Sequence, residues 1–282
     1  MGVFAMRRLV LAAVMCGAAA GAQAADMPDF LRGSLAPAAP AVNWQGYYIG
    51  GQAGYGTSDE NFNGSTSNMI AALIANNVIQ EMGVSTWNLG LGKESAHGSG
   101  YGGFTGYNSQ WDDVVLGLEA SYLHGTFGGS ATASEGPLVG PLSDGFNHSV
   151  TATSLAAISI SDMATFRARA GYAYGSFLPY MFGGFALGDA DITRSVTIQD
   201  NLAPTFAGAI ASCSGPSPPV CNTYSSSQVQ HAHLIYGYTG GLGVDIHLIG
   251  GLFMRAEWEY VRFTAAVDTG INTVRAGLGY KF

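Results

Sequence analysis

Ionic side chains are scarce in this chain, yet several of them recur at every second position. Arg167 and Arg169 flank Ala168, and Arg255, Glu257 and Glu259 alternate with Ala256 and Trp258. Glu119, Asp245, Arg275 and Lys281 sit in segments with the same rhythm. A two-residue period places such groups on one face of a β-strand. If several of these strands close into a narrow cylinder, acids and bases meet across it. They must then pair, because an unpaired buried ion costs several kcal/mol, about 3–5. The chemistry expected of Glu119, Arg167, Arg169, Asp245, Arg255, Glu257, Glu259, Arg275 and Lys281 is therefore an internal salt-bridge network that plugs a lumen. The alternative for the same residues is a narrow ion path.

Other reactive groups offer less. His231-Ala232-His233 on a strand would present both imidazoles on one face and could touch a metal or haem, or simply water. His124 and His148 flank one loop, and serine is too abundant for any Ser/His pairing to carry information. No nucleophile-elbow pattern is present, so no catalytic residue and no resident metal or cofactor is expected. Cys213 and Cys221 frame a Ser/Pro-rich loop. In an oxidising compartment a local disulfide is the default, with two neighbouring free thiols as the alternative. Their spacing is too wide for a CxxC redox or zinc motif.

The strands that must position these groups are legible as alternation. Residues 44–56 place Tyr47, Ile49, Ala53 and Tyr55 on one face; residues 272–282 place Val274, Ala276, Leu278, Tyr280 and Phe282 together, opposite Arg275 and Lys281. The same pattern recurs in residues 114–124, 165–174, 236–248 and 252–262, and more weakly in 98–109 and 177–189, where glycines occupy both faces. In each clear case the apolar face ends in aromatics and the other collects glycine and charge, the inverse of a soluble core. The count is eight. Tight joints (110–112, 175–176, 249–250) alternate with long ones (57–97, 127–160, 190–230), as expected of short periplasmic turns and long external loops. Residues 149–160 could form a further strand, but even parity argues that they extend a hairpin above the membrane. In the first long loop Met69, Ile70, Leu73, Ile74 and Val78 recur at helical spacing, which predicts an amphipathic helix over 66–82. Its apolar face must pack on the barrel mouth, a neighbouring loop or a partner.

Bulk properties point the same way. Arg7 and Arg8, the apolar stretch 9–20 and Ala22-Gln23-Ala24 read as a signal peptide over 1–24, cleaved after Ala24. Met15 makes the sequence before Cys16 a poor lipoprotein signal. A Pro/Ala-rich periplasmic lead over 25–43 precedes the barrel, 44–282. Loss of the two leader arginines takes the formal charge from -8 to -10, which disfavours nucleic acid as a partner. Charged residues make up 11% of the chain, against about 25% in ordinary soluble domains. No later stretch is long enough for a spanning helix. An exported, charge-poor chain without one satisfies its backbone in lipid only as a closed barrel. The expected fold is all-β: an eight-stranded antiparallel transmembrane β-barrel with long external loops.

The chain resembles small outer-membrane β-barrel proteins of the porin-family or surface-antigen type, akin in architecture to the OmpA transmembrane domain. The segments that carry the resemblance are Trp44-Gln45-Gly46-Tyr47-Tyr48-Ile49-Gly50-Gly51, Val115-Leu116-Gly117-Leu118-Glu119, Thr165 to Tyr172, Pro179 to Ala186, Glu257-Trp258-Glu259-Tyr260 and Gly277-Leu278-Gly279-Tyr280-Lys281-Phe282. The resemblance implies a cell outer-membrane location in a Gram-negative envelope, with membrane lipid and lipopolysaccharide as surroundings. It also implies that Phe282 is the signal read by the barrel-assembly machinery. The loops match no pattern, and loops are where partner specificity resides. Envelope integrity and cell-surface contact are the expected role. A porin-like channel, or a surface binder of haem, metal or a host ligand, are the alternatives.

Overall fold

A computed structural model describes residues 42–87, 89–215, 218–264 and 267–282. The leader and most of the lead, with their cleavage site, lie outside them. Eight antiparallel strands follow in chain order: β1 (Gly46–Asn61), β2 (Lys93–Trp111), β3 (Val114–Pro141), β4 (Asn147–Tyr172), β5 (Phe177–Ala203), β6 (Val220–Ile249), β7 (Leu252–Phe263) and β8 (Asp268–Lys281). Each pairs with its neighbour, and β8 returns to β1 from Tyr48↔Lys281 to Asn61↔Asp268, closing the ring. Closure leaves no ladder edge within the lipid, which the bilayer requires.

The tight joints fall where the sequence places them. Gly175 and Gly250 adopt φ of +57° and +60°, and Asp112 takes +50°. That left-handed region costs glycine nothing and is tolerated by aspartate. Outward positions remain exposed: Leu118 and Phe185 at 70%, Phe282 at 75%. Tyr47, Tyr107, Trp111, Tyr172 and Tyr280 ring one end of this apolar wall; Tyr55, Tyr101, Tyr122 and Tyr236 ring the other, as interfacial aromatics should. An arginine in place of Leu118, at mid-wall, should cost about 2–4 kcal/mol. Urea unfolding in vesicles measures it, and the exposed Thr153→Arg, away from the wall, is the control expected within about 0.5 kcal/mol.

Two expectations about the loops are corrected. Residues 127–160 and 190–230 are not loops for the most part. They continue β3 to β6 as a four-stranded sheet rising beyond the ring, since β2 pairs with β3 only up to Ser99↔Thr126 and β6 with β7 only from Gly237↔Phe263. Residues 149–160, as expected, form no further strand but extend the β3–β4 hairpin beyond the ring, as part of β4 itself. Three β-bulges, at His124/Phe127, Ile160/Asp162 and Ala190/Ile192, mark the level where ring becomes sheet. A bulge inserts an extra residue and re-aims its strand; in β4 it reverses the alternation, with Ile158 and Ile160 inward above it and Met163 and Thr165 inward below.

The first loop, residues 62–92, also departs from expectation. In place of one helix over 66–82 there is a short α1 (Ser67–Leu73) and then 3-10 turns at Val78–Met82 and Val84–Thr86. Asn77 ends the run in extended conformation and caps the next turn, its Oδ1 accepting from Ile79 N at 3.1 Å, and Gly83 at φ +73° separates the two turns. Asparagine competes with the backbone for such hydrogen bonds, so it breaks helices and starts them. The apolar residues still converge: Met69, Ile70, Ile74, Ile79 and Val84 bury against Val150, Ala152, Val196 and Ile198 on the sheet's inner face. The loop is a lid on its own chain.

Candidate functional site

The inward faces of the ring are filled in three layers. At the end carrying both strand termini, Trp44, Tyr48, Phe104, Val115, Leu178, Tyr180, Phe182 and Phe253 form an aromatic floor. At the other end Phe62, Leu123, Phe127, Ile158, Ile160, Met163, Ile235 and Phe263 form an aliphatic and aromatic stopper. Between them lie the charges.

Strand register creates the first contacts. Glu119 faces Arg167 across β3/β4, Asp245 faces Arg255 across β6/β7, and Glu257 faces Arg275 across β7/β8. The lumen is narrow enough for these pairs to join. Arg255 grips Asp245 with two nitrogens at 2.8 and 3.0 Å and reaches Glu119 Oε2 at 2.8 Å. Arg167 donates to Glu119 Oε1 through Nε at 2.9 Å and to Glu257 at 2.9 Å. Arg169 bonds Asp245 at 2.7 Å, and Arg275 pairs with Glu259. Four guanidinium groups therefore meet four carboxylates, with every residue at most 4% exposed. Bidentate arginine–carboxylate geometry of this kind is the strong form of the interaction.

Residues that were not singled out in the sequence complete the set. Tyr48 Oη donates to Glu119 at 2.6 Å, Tyr180 Oη to Glu257 at 2.7 Å and Thr239 Oγ1 to Glu259 at 2.6 Å. Arg169 stacks on Tyr180 at 3.7 Å, Arg255 on Phe104 at 3.9 Å and Arg167 on Phe182 at 4.1 Å. These three arginines are thus neutralised at the edge and stacked on the face. The available signal was that Tyr48, Tyr180 and Phe182 are large side chains in the inward phase.

One member of the expected set lies elsewhere. Lys281 sits at the rim, where its Nζ donates to the Gln45 carbonyl at 3.2 Å; it is the last residue of β8, where a long side chain reaches out of the lumen. Phe282 is exposed beside Tyr280, their rings 5.3 Å apart, and its N–H donates to the Tyr47 carbonyl at 2.9 Å. Cys213 and Cys221 are bonded, with Cα atoms 6.3 Å apart.

His231 and His233 do not share a face. Ala232 has φ +50° and lies in a bulge, so the alternation that would align His231 with His233 is broken. His231 meets Asp191 at 3.3 Å, and His233 pairs with Ala190 in the ladder. Among the described residues no group of three or more His, Cys, Asp or Glu could hold a metal.

His148 is buried near the tip of the β3–β4 hairpin. Its two nitrogens lie 2.8 Å from Asp200 and 2.9 Å from Asp144. Burial alone pushes this imidazole down, but the hydrogen bonds to Asp200 and Asp144 outweigh it and hold the group above its ordinary value. The Phe146 N–H and His148 hold Asp144 below the usual carboxylate range. Each shift has its own sign. The histidine's contribution is complete below about pH 6.5 and is lost as pH rises through the raised value; the aspartate's is complete above about pH 4 and is lost on acidification. Hydrogen-exchange protection of residues 142–150 should therefore peak between about pH 4 and 6.5 and decline on the alkaline side. His148→Gln should remove that decline; an unchanged profile in the variant would show that the imidazole is not the sensor.

A sequence model of the outer membrane protein beta-barrel domain matches residues 9–282. The chain belongs to that family. This outer membrane barrel is 26% identical over 259 residues to a 22 kDa outer membrane protein of Rhizobium leguminosarum bv. viciae, covering 88% of the present chain and 82% of that one. Among solved structures it is similar to the attachment invasion locus protein Ail of Yersinia pestis, with 13% identity, 85% of this chain and 100% of that one covered, and a TM-score of 0.31. It is also similar to Neisserial surface protein A, with 11% identity, 84% and 97% coverage and a TM-score of 0.33, and to the N-terminal β-barrel domain of Pseudomonas aeruginosa OprF, with 15%, 84%, 98% and 0.29. Outer-membrane location follows from the family.

Proposed function

We propose that this outer membrane barrel is a non-conducting, non-enzymatic structural protein. In this reading it contributes to envelope integrity and presents its external sheet for cell-surface contact. One observation carries it: a neutral set of eight buried ionic side chains lies between two apolar layers. Each apolar layer would have to be breached for an ion to pass, and the ionic layer has no unpaired arginine to offer a hopping anion. Eight strands leave room for side chains, whereas aqueous pores use about sixteen. Its partners are then lipid, lipopolysaccharide and, during biogenesis, the assembly machinery acting on Phe282.

Planar-bilayer recordings of the purified protein should show no steady openings. Stable, ohmic steps in the wild type would instead establish the narrow-channel reading. Deletion of the gene should raise detergent sensitivity while leaving lipopolysaccharide acylation unchanged.

A further inference from the structure

The sheet that rises beyond the ring has two free edges, and they are not alike. The β3 edge, residues 127–141, carries Glu135, Pro137 and Pro141, a register shift at Glu135/Leu138 and Gly136 at φ +109°. These are the devices by which proteins blunt an edge against strand addition. The β6 edge has no such protection over residues 220–230. That stretch pairs with β5 without interruption from Leu202↔Val220 to Ile192↔Gln230, and among the described residues nothing pairs with its other side. It contains no charge and no proline. Residues 227–230 are exposed on both faces. At about 3.3 Å per residue the unguarded row is roughly 35 Å long.

We infer that residues 220–230 of β6 are a docking edge for an extended strand of another protein. The occupant adds antiparallel to β6, in the place β7 would fill had it continued past Phe263. Backbone groups supply the affinity, which is the logic of strand addition elsewhere. A second copy of this chain fits poorly. In one membrane all copies run β6 in the same direction, which excludes an antiparallel β6–β6 ladder, and a head-to-tail ribbon would need the blunted β3 edge. The side chains beside the edge (Thr223, Ser225, Ser227 and Val229) call for an uncharged, β-branched or hydroxyl-bearing strand.

This partner class rests on the surface-contact role proposed above and specifies it. The test uses the full chain in lipopolysaccharide-containing nanodiscs and a fluorescent, end-capped ten-residue peptide of alternating Thr and Val. Saturable binding is expected, with slowed hydrogen exchange confined to residues 220–236. At least a tenfold loss is expected on N-methylating alternate peptide amides, and in Ser227→Lys and Val229→Pro separately, each checked for heat-modifiable mobility as a sign of an intact barrel. Binding that survives N-methylation, protection on the β3 edge, or a β6 edge already protected in a concentration-dependent dimer would each overturn the inference. Whole-cell adhesion separates it from the parent reading. A deletion strain that adheres less while Ser227→Lys adheres normally refutes the edge alone; an unaffected deletion strain refutes both.

Discussion

Arg255→Leu should destabilise the barrel by about 3–5 kcal/mol, the cost of leaving buried partners uncompensated. Arg255 is the hub of the lumen: it binds Asp245 with two nitrogens, reaches Glu119 and lies flat on Phe104. Leucine fills some of the volume but leaves Asp245 with Arg169 alone and Glu119 leaning on Arg167. The penalty comes chiefly from the stranded carboxylates. A double variant Asp245→Leu/Arg255→Leu should therefore recover part of the loss, since apolar replacement of a whole buried pair is often neutral or stabilising. Urea midpoints in vesicles read both, and a double variant worse than the sum of the singles would overturn this account of the network.

Phe127→Ala should cost a similar amount, about 3–5 kcal/mol, for a different reason. Phe127 is 1% exposed and sits in the apolar stopper with Leu123, Ala131, Ile158 and Ile160. It lies just past the β3 bulge, so it packs where ring meets sheet. The loss is a cavity and the dispersion contacts around it, not an electrostatic imbalance. Leucine at the same position should restore more than half of the loss. Salt distinguishes the two variants further. Added sodium chloride should leave the Phe127→Ala deficit nearly unchanged, and a salt-sensitive deficit would show that this layer is not the dry packing described.

What could be read from the sequence divides at the bulges. Below them, alternation places Glu119, Arg167, Arg169, Asp245, Arg255, Glu257, Glu259 and Arg275 inward without a coordinate, because a period of two has only two sides. At Ser161-Asp162 the phase of β4 reverses, so a search for unbroken alternation loses the strand there and reports residues 127–160 as loop. The upper sheet is also rich in Ser, Thr and Ala, whose small polarity contrast hides the alternation that Ile158, Ile160, Val196 and Ile198 do obey. The layering of the lumen was hidden for another reason. Tyr48, Phe104, Tyr180 and Phe182 point inward beside the charges, and a rule that equates apolar with lipid-facing assigns such residues wrongly or ignores them. Lys281 shows the converse error: its phase is inward, but the strand ends before the lumen closes over it.

The directly opposed pairs also bear on strand register. A slip of one residue at any of the three seams would turn its ions toward acyl chains. A slip of two would keep them inside but misalign them, bringing Asp245 opposite Phe253 or Glu257, and Glu257 opposite Thr273 or Gly277, with no cation facing either. Glycine-rich strands such as these have little side-chain bulk to fix how they slide past one another. At the β3/β4 seam a slip of two can instead set Glu119 opposite Arg169, so the ions discriminate against that slip at the β6/β7 and β7/β8 seams.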